Sequence, residues 1–107
     1  MKVWMLCEAF TLTEDPFGHQ QTVHKSLTPW ALPYKDRRTV MRELRMRVRE
    51  RVLENYEGRD DADDYIRRDI DEVMSKPERP GRGKWQYNYS ASDREVVWRV
   101  YPCEVVR

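Results

Sequence analysis

Between Asp36 and Pro77 the apolar residues recur at helical spacing, and on both sides of that block they alternate as along strands. This ordering restricts the fold more than any other feature. The sheet has to come from the two ends of the chain, and the helices between them have to lie across it. Asp36 is a good N-cap, because its carboxylate can accept the free amides of a first turn. The apolar stripe Val40, Met41, Leu44, Val48, Val52 and Tyr56 follows, and a helix is predicted to about Glu57, with Gly58 as its left-handed stop. Asp60 or Asp61 is expected to cap a second helix running to about Ser75 and ended by Pro77, with the stripe Ala62, Tyr65, Ile66, Ile70 and Val73. The short connection predicts an antiparallel helical hairpin.

Residues 2–13 place Val3, Met5, Cys7 and Ala9 on one face and Trp4, Leu6, Phe10 and Leu12 on the other, interrupted by Glu8. Glu14-Asp15-Pro16-Phe17-Gly18 reads as a turn, and residues 20–28 as the returning strand. Pro29 and Pro33 predict a loop from Thr28 to Lys35, pinned by Trp30, Leu32 and Tyr34. After a flexible stretch at 76–84, Trp85, Tyr87 and Tyr89 fall at strand spacing, Ser90 to Asp93 turn, and Val96 to Val106 form a last strand that either bends at Pro102 or lies at an edge of the sheet. The expectation is an α+β fold of order ββααββ: an antiparallel four-stranded sheet with a two-helix hairpin packed on one face, in one domain over residues 1–107.

Composition narrows the class. The chain has four Trp, six Tyr and two Phe at a net charge of +1, whereas a disordered chain is poor in aromatics and lopsided in charge. Its 107 residues suit one core and not two. Cys7 and Cys103 are too few for a secreted disulfide scaffold. The opening Lys2 to Glu8 is charged too soon for a signal peptide, and no apolar run approaches membrane-helix length. A cytoplasmic protein with reduced thiols and no membrane association is expected, a Cys7–Cys103 bridge being the alternative.

The sharpest chemical feature is an arginine ridge. Arg38, Arg42, Arg45 and Arg49 fall within about 60° of one another on a helix, while Glu43, Glu50 and Glu54 lie well round from them. Like charges so placed repel, so a negative group should lie alongside. Residues 36–58 carry seven basic against five acidic residues and residues 59–76 four against seven. The ridge therefore either pairs with Asp60, Asp64 and Asp71 of the second helix or meets an external anion, a phosphate backbone or an acidic protein. Arg79, Arg82 and Lys84 in a Gly loop, followed by Trp85, Tyr87 and Tyr89, suggest phosphate contact with base stacking. The preferred reading takes the same aromatics as sheet core, or as cross-strand partners of Val96, Trp98 and Val100. Trp4, Phe10, Trp85, Tyr87, Tyr89, Trp98 and Tyr101 exceed what two short helices are expected to cover, which suggests an aromatic protein interface (Trp85, Tyr87, Tyr89 and Trp98 foremost), such as that of a homodimer, with a pocket for a flat ligand such as a nucleotide as the alternative.

For catalysis the inventory is thin. Cys7 with His24 as base, or His19 and His24 with Glu14 and Asp15 around a metal, are formal options, but a mid-strand thiol is more often inert. Asp69 falls within an apolar stripe and is expected to pair with an Arg or a Tyr as a structural lock. The chain has no P-loop, dinucleotide fingerprint, CxxC, HExxH or GxSxG motif. The expected function is that of a small non-enzymatic binding protein without a cofactor, occupying the surface of a protein partner. Its compact, Arg/Glu-rich style suits an accessory protein of a phage or mobile element, a style no residue pattern carries. Direct nucleic-acid binding through the ridge and the basic loop is the alternative.

Overall fold

The computed structural model describes residues 1–14, 23–26, 30–91 and 94–105. It is α+β, with the order β1 (Lys2–Glu14), β2 (Val23–Ser26), β3 (Trp30–Tyr34), α1 (Arg37–Asn55), α2 (Asp63–Ser75), β4 (Glu78–Gly81), β5 (Lys84–Ala91) and β6 (Arg94–Glu104). The two helices and the terminal strand pairs match the sequence reading; the strand count does not. Six strands occupy five positions across one antiparallel sheet, in the order β2-β1-β6-β5-β4, and β3 shares the flank of β1 with β2.

Both extra strands lie where prolines and glycines argued for loops. β3 contains Pro33 opposite Met5, and β4 contains Pro80 beside the turn into β5. Each pairs on one side only among the described strands, and an edge strand tolerates a residue that donates nothing to the ladder. The β4–β5 bend is a two-residue turn of Arg82 and Gly83 between Gly81 and Lys84, with Gly83 at φ +74°. The segment expected to be most flexible is thus largely a hairpin. The first hairpin is present, with Thr11↔Ser26 to Glu14↔Val23 in register; its turn from Asp15 to Gly18 lies outside the described residues, as do Ser92, Asp93 and Val106.

Paired residues share a face, so the register of β1 and β6 from Lys2↔Glu104 to Leu12↔Arg94 sorts their side chains. One face carries Leu6 and Phe10 with Val96, Trp98 and Val100, and Tyr87 and Tyr89 of β5 join them. The α1 stripe Val40, Leu44, Val48 and Val52 seals this layer, each of the four at 0% exposure. A fully buried Val or Leu contributes roughly 1.5–3 kcal/mol, so this seam is the main source of stability. Asp36 caps α1 as expected, its Oδ1 accepting the Thr39 amide at 2.7 Å, and Gly58 ends the turn beyond α1 at φ +83°. The second helix starts later than expected, at Asp63 after Ala62. No side chain caps it, because Ala62 is spent in the core at 1% exposure. Tyr65, assigned to the buried stripe, is 44% exposed.

The aromatic surplus resolves on the helix-covered face. Trp98 is at 0% exposure, Tyr87 and Tyr89 are buried, and Trp85 is half-buried against the same core. An aromatic interface built on Trp98, Tyr87 and Tyr89 is therefore incompatible with this packing; these rings are the sheet's core. The long strand β1 and the α1 stripe reach far enough along the sheet to cover them. Of the seven aromatics in surplus only Tyr101 falls on the uncovered face, opposite Met5. Cys7 and Cys103 share that face as free thiols, four residues apart along the β1–β6 register, roughly 13 Å and too far for a bridge. Among the described residues no helix is long and apolar enough to cross a membrane.

Candidate interaction surface

Charge is segregated around α1. On the flank towards β1, Arg47 pairs with Glu43 at 3.3 Å and Glu50 at 3.8 Å, and Arg51 pairs with Glu54 at 3.1 Å and with the buried Glu8 at 2.8 Å. The opposite flank holds the ridge. Arg38, Arg42, Arg45 and Arg49 are all exposed, and none makes an ion pair within 4 Å or a side-chain hydrogen bond among the described residues. The helical period explains the split: the acids of α1 lie on the far side from the ridge and satisfy the other arginines.

Internal neutralisation by the second helix is not realised. Arg45 and Arg49 look across an open groove of about 470 Å³ towards α2, where Asp63, Arg67 and Asp71 form the other rim. Asp71 reaches the groove without closing to ion-pair distance. Ile66 and Ile70, both half-buried against the core, and Leu53 supply an apolar lining. Leu53 is 41% exposed and Met46 53% exposed, one helical turn beyond Arg49 and Arg42 respectively. Sequence reasoning missed both. Their signal was the i, i+4 step from a ridge arginine, which puts an apolar side chain on a charged face rather than on the buried stripe.

A polar lock holds α2 beside α1. The Tyr56 hydroxyl donates to Asp69 Oδ2 at 2.6 Å, the Tyr89 hydroxyl donates to the same oxygen at 3.4 Å, and Asn55 Nδ2 donates to the Tyr89 hydroxyl at 2.9 Å. The Tyr pairing expected for Asp69 is present. Burial, reinforced by the Asp69 charge, pushes the Tyr89 phenol up to about 12. The bond from Tyr56 to Asp69, with burial, raises the Tyr56 phenol too. Both stay neutral donors at ordinary pH, so the width of the groove is fixed from beneath.

The basic loop does not converge. The Arg79 guanidinium lies 3.9 Å from the centre of the Trp85 ring, and Arg37 approaches that ring at 5.9 Å. Lys84 sits over Tyr101 on the other face of the sheet at 5.8 Å, and Arg82 occupies the turn. Arg79 and Lys84 therefore lie on opposite faces of the sheet, and the Trp85 ring is already covered by a cation. His24 pairs with Thr13, six residues and roughly 20 Å along β1 from Cys7, which rules out the Cys7–His24 dyad. The Cys7 thiol instead lies 3.6 Å from the Tyr101 hydroxyl. Among the described residues no group of His, Cys, Asp and Glu is placed to hold a metal, while His19 and Asp15 lie outside them.

Arrayed along one flank, then, are four guanidinium groups without an ion pair among the described residues, two exposed apolar side chains and a groove with basic residues on both rims. Such a surface offers charge-assisted hydrogen bonds beside apolar contact area, which suits a ligand that is both anionic and apolar. No protein-family model, curated protein or solved structure matches the chain, so its own geometry carries the functional reading.

Proposed function

We propose that this chain is a non-enzymatic binding protein whose partner is an acidic, partly apolar segment of another protein, held along the ridge flank of α1. One observation carries the reading: Arg38, Arg42, Arg45 and Arg49 are exposed and without ion pairs among the described residues, with Met46 and Leu53 exposed between and beside them. The arginines provide steering and charge-assisted bonds, and the two apolar side chains provide area that is desolvated on contact. Cys7 and Asp69, the residues with most chemical potential, are held by Tyr101 and by Tyr56 and Tyr89.

The same four arginines would also suit a phosphate backbone. Two features favour protein over nucleic acid: Asp63 and Asp71 share the groove with the ridge, and the exposed apolar side chains offer a phosphate nothing. The test compares fluorescent duplex and single-stranded DNA and RNA with a fluorescent peptide of glutamates and leucines, for wild type and Arg42→Glu/Arg45→Glu. The peptide is expected to bind at physiological salt and to lose about tenfold or more in affinity with the double variant. Nucleic acids that bind at physiological salt with a steep salt dependence, while the peptide does not, overturn the proposal.

A further inference from the structure

The groove between α1 and α2 specifies more than an acidic partner. We infer that it seats an acidic amphipathic helix of the partner, an inference that rests on the ridge reading above. The lining is ordered by position. Leu53 from α1 and Ile66 and Ile70 from α2 form an apolar strip, Ile66 and Ile70 being one turn apart. Arg45 and Arg49 stand one turn apart on the α1 rim, about 6 Å along the axis. The α2 rim alternates in sign as Asp63, Arg67 and Asp71, again in steps of one turn.

A guest has to meet three directions at once: the apolar strip and two rims. An extended strand projects its side chains to only two sides, whereas a helix projects apolar residues at i, i+3, i+4 and i+7 with charged residues on both flanks. Complementarity then fixes the charge pattern. Acids one turn apart face Arg45 and Arg49, a single acid on the other flank faces Arg67, and neutral or basic residues near the two ends face Asp63 and Asp71. From Arg45 to Leu53 the rim is about 12 Å long, so two to three turns of guest fill it. A uniformly anionic polymer such as nucleic acid meets two repelling carboxylates on the α2 rim and gains nothing from the apolar strip.

The test uses the full chain and three fluorescent probes: a Leu/Glu peptide with its leucines on one helical face and glutamates flanking them, a shuffled peptide of the same composition, and oligoglutamate. The patterned helix is expected to bind about tenfold or more tightly than either control. Leu53→Glu and Arg67→Glu, both at exposed positions, should each remove most of that advantage, with folding verified by circular dichroism; Leu53→Ala serves if the charged variant does not fold. Shuffled peptide and oligoglutamate binding as tightly as the helix would overturn the seat while leaving the ridge as an acid-binding surface. Binding of none of the three would overturn both.

Discussion

At the scale of single residues, the most informative side chain is one that interrupts a pattern. Glu8 stands on the apolar face of β1, and the structure buries it to 4% exposure. A lone carboxylate there is costly unless paired, and Arg51 Nε meets it at 2.8 Å. The guanidinium also lies 4.4 Å from the centre of the Phe10 ring and extends to Glu54, which Arg94 contacts at 3.5 Å. The sequence announced the anomaly but not its remedy, since Arg51 is distant in the chain and its partner is set only when α1 docks. Removing the cation leaves the carboxylate buried alone. Arg51→Met is expected to cost about 2 kcal/mol in urea unfolding, below the 3–5 kcal/mol of a fully buried pair because the Arg51 side chain keeps 22% exposure. Glu8→Leu/Arg51→Met should recover most of the loss. A double variant no more stable than Arg51→Met would show that the guanidinium over the Phe10 ring, rather than the charge pair, holds α1 there.

At the scale of elements, legibility followed local chemistry. Helix α1 was readable at both ends because Asp36 and Gly58 act within one turn. β3 and β4 were not: proline is excluded only where its position must donate to a neighbouring strand, and which positions those are is settled by neighbours far along the chain. The start of α2 shifted for a similar reason, since burying Ala62 outweighed capping by Asp60 or Asp61. The ridge itself followed from helical periodicity. Whether α2 would neutralise it depended on the gap between two helices, which no local pattern encodes. The Asp36 cap also carries a pH dependence. The backbone amide of Thr39 holds the Asp36 carboxyl below its ordinary range, with Lys35 and Arg38 adding to the effect. A folded-state pKa below the unfolded one gives stability that is complete above the unfolded value, about 3.9, and is lost as pH falls through the folded value. Asp36→Ala should therefore lower the thermal midpoint by a few degrees at neutral pH. The gap between variant and wild type should narrow steadily below about pH 4. A gap unchanged into strong acid would mean that the carboxylate charge is not what caps α1.

At the scale of the whole molecule, the two strands that pair across the middle of the sheet, β1 and β6, come from opposite ends of the chain. The fold therefore closes its largest loop to make its central contact, and the buried faces of Leu6 and Val100 or Phe10 and Val96 are worth nothing until it does. Helices α1 and α2, by contrast, are joined by a short exposed connection around Gly58, where nothing lies within 4 Å of an added Cβ. These two facts suggest moving the break in the chain. The Val105 amide donates to the Met1 carbonyl at 2.8 Å, so a few glycines can join Val105 to Met1, with new ends cut between Arg59 and Asp60. The Tyr56–Asp69 bond and the core seam survive the cut, since each is made by residues away from it. The permutant is expected to keep a thermal midpoint near that of the parent. It should also fold about tenfold faster in stopped-flow refolding, because β6 and β1 become neighbours in sequence and the mean span of the sheet contacts falls. Refolding at the parental rate would show that β1–β6 pairing is not the step that limits folding. The barrier would then lie in docking α1 on the sheet, where Glu8 and Arg51 must be desolvated together.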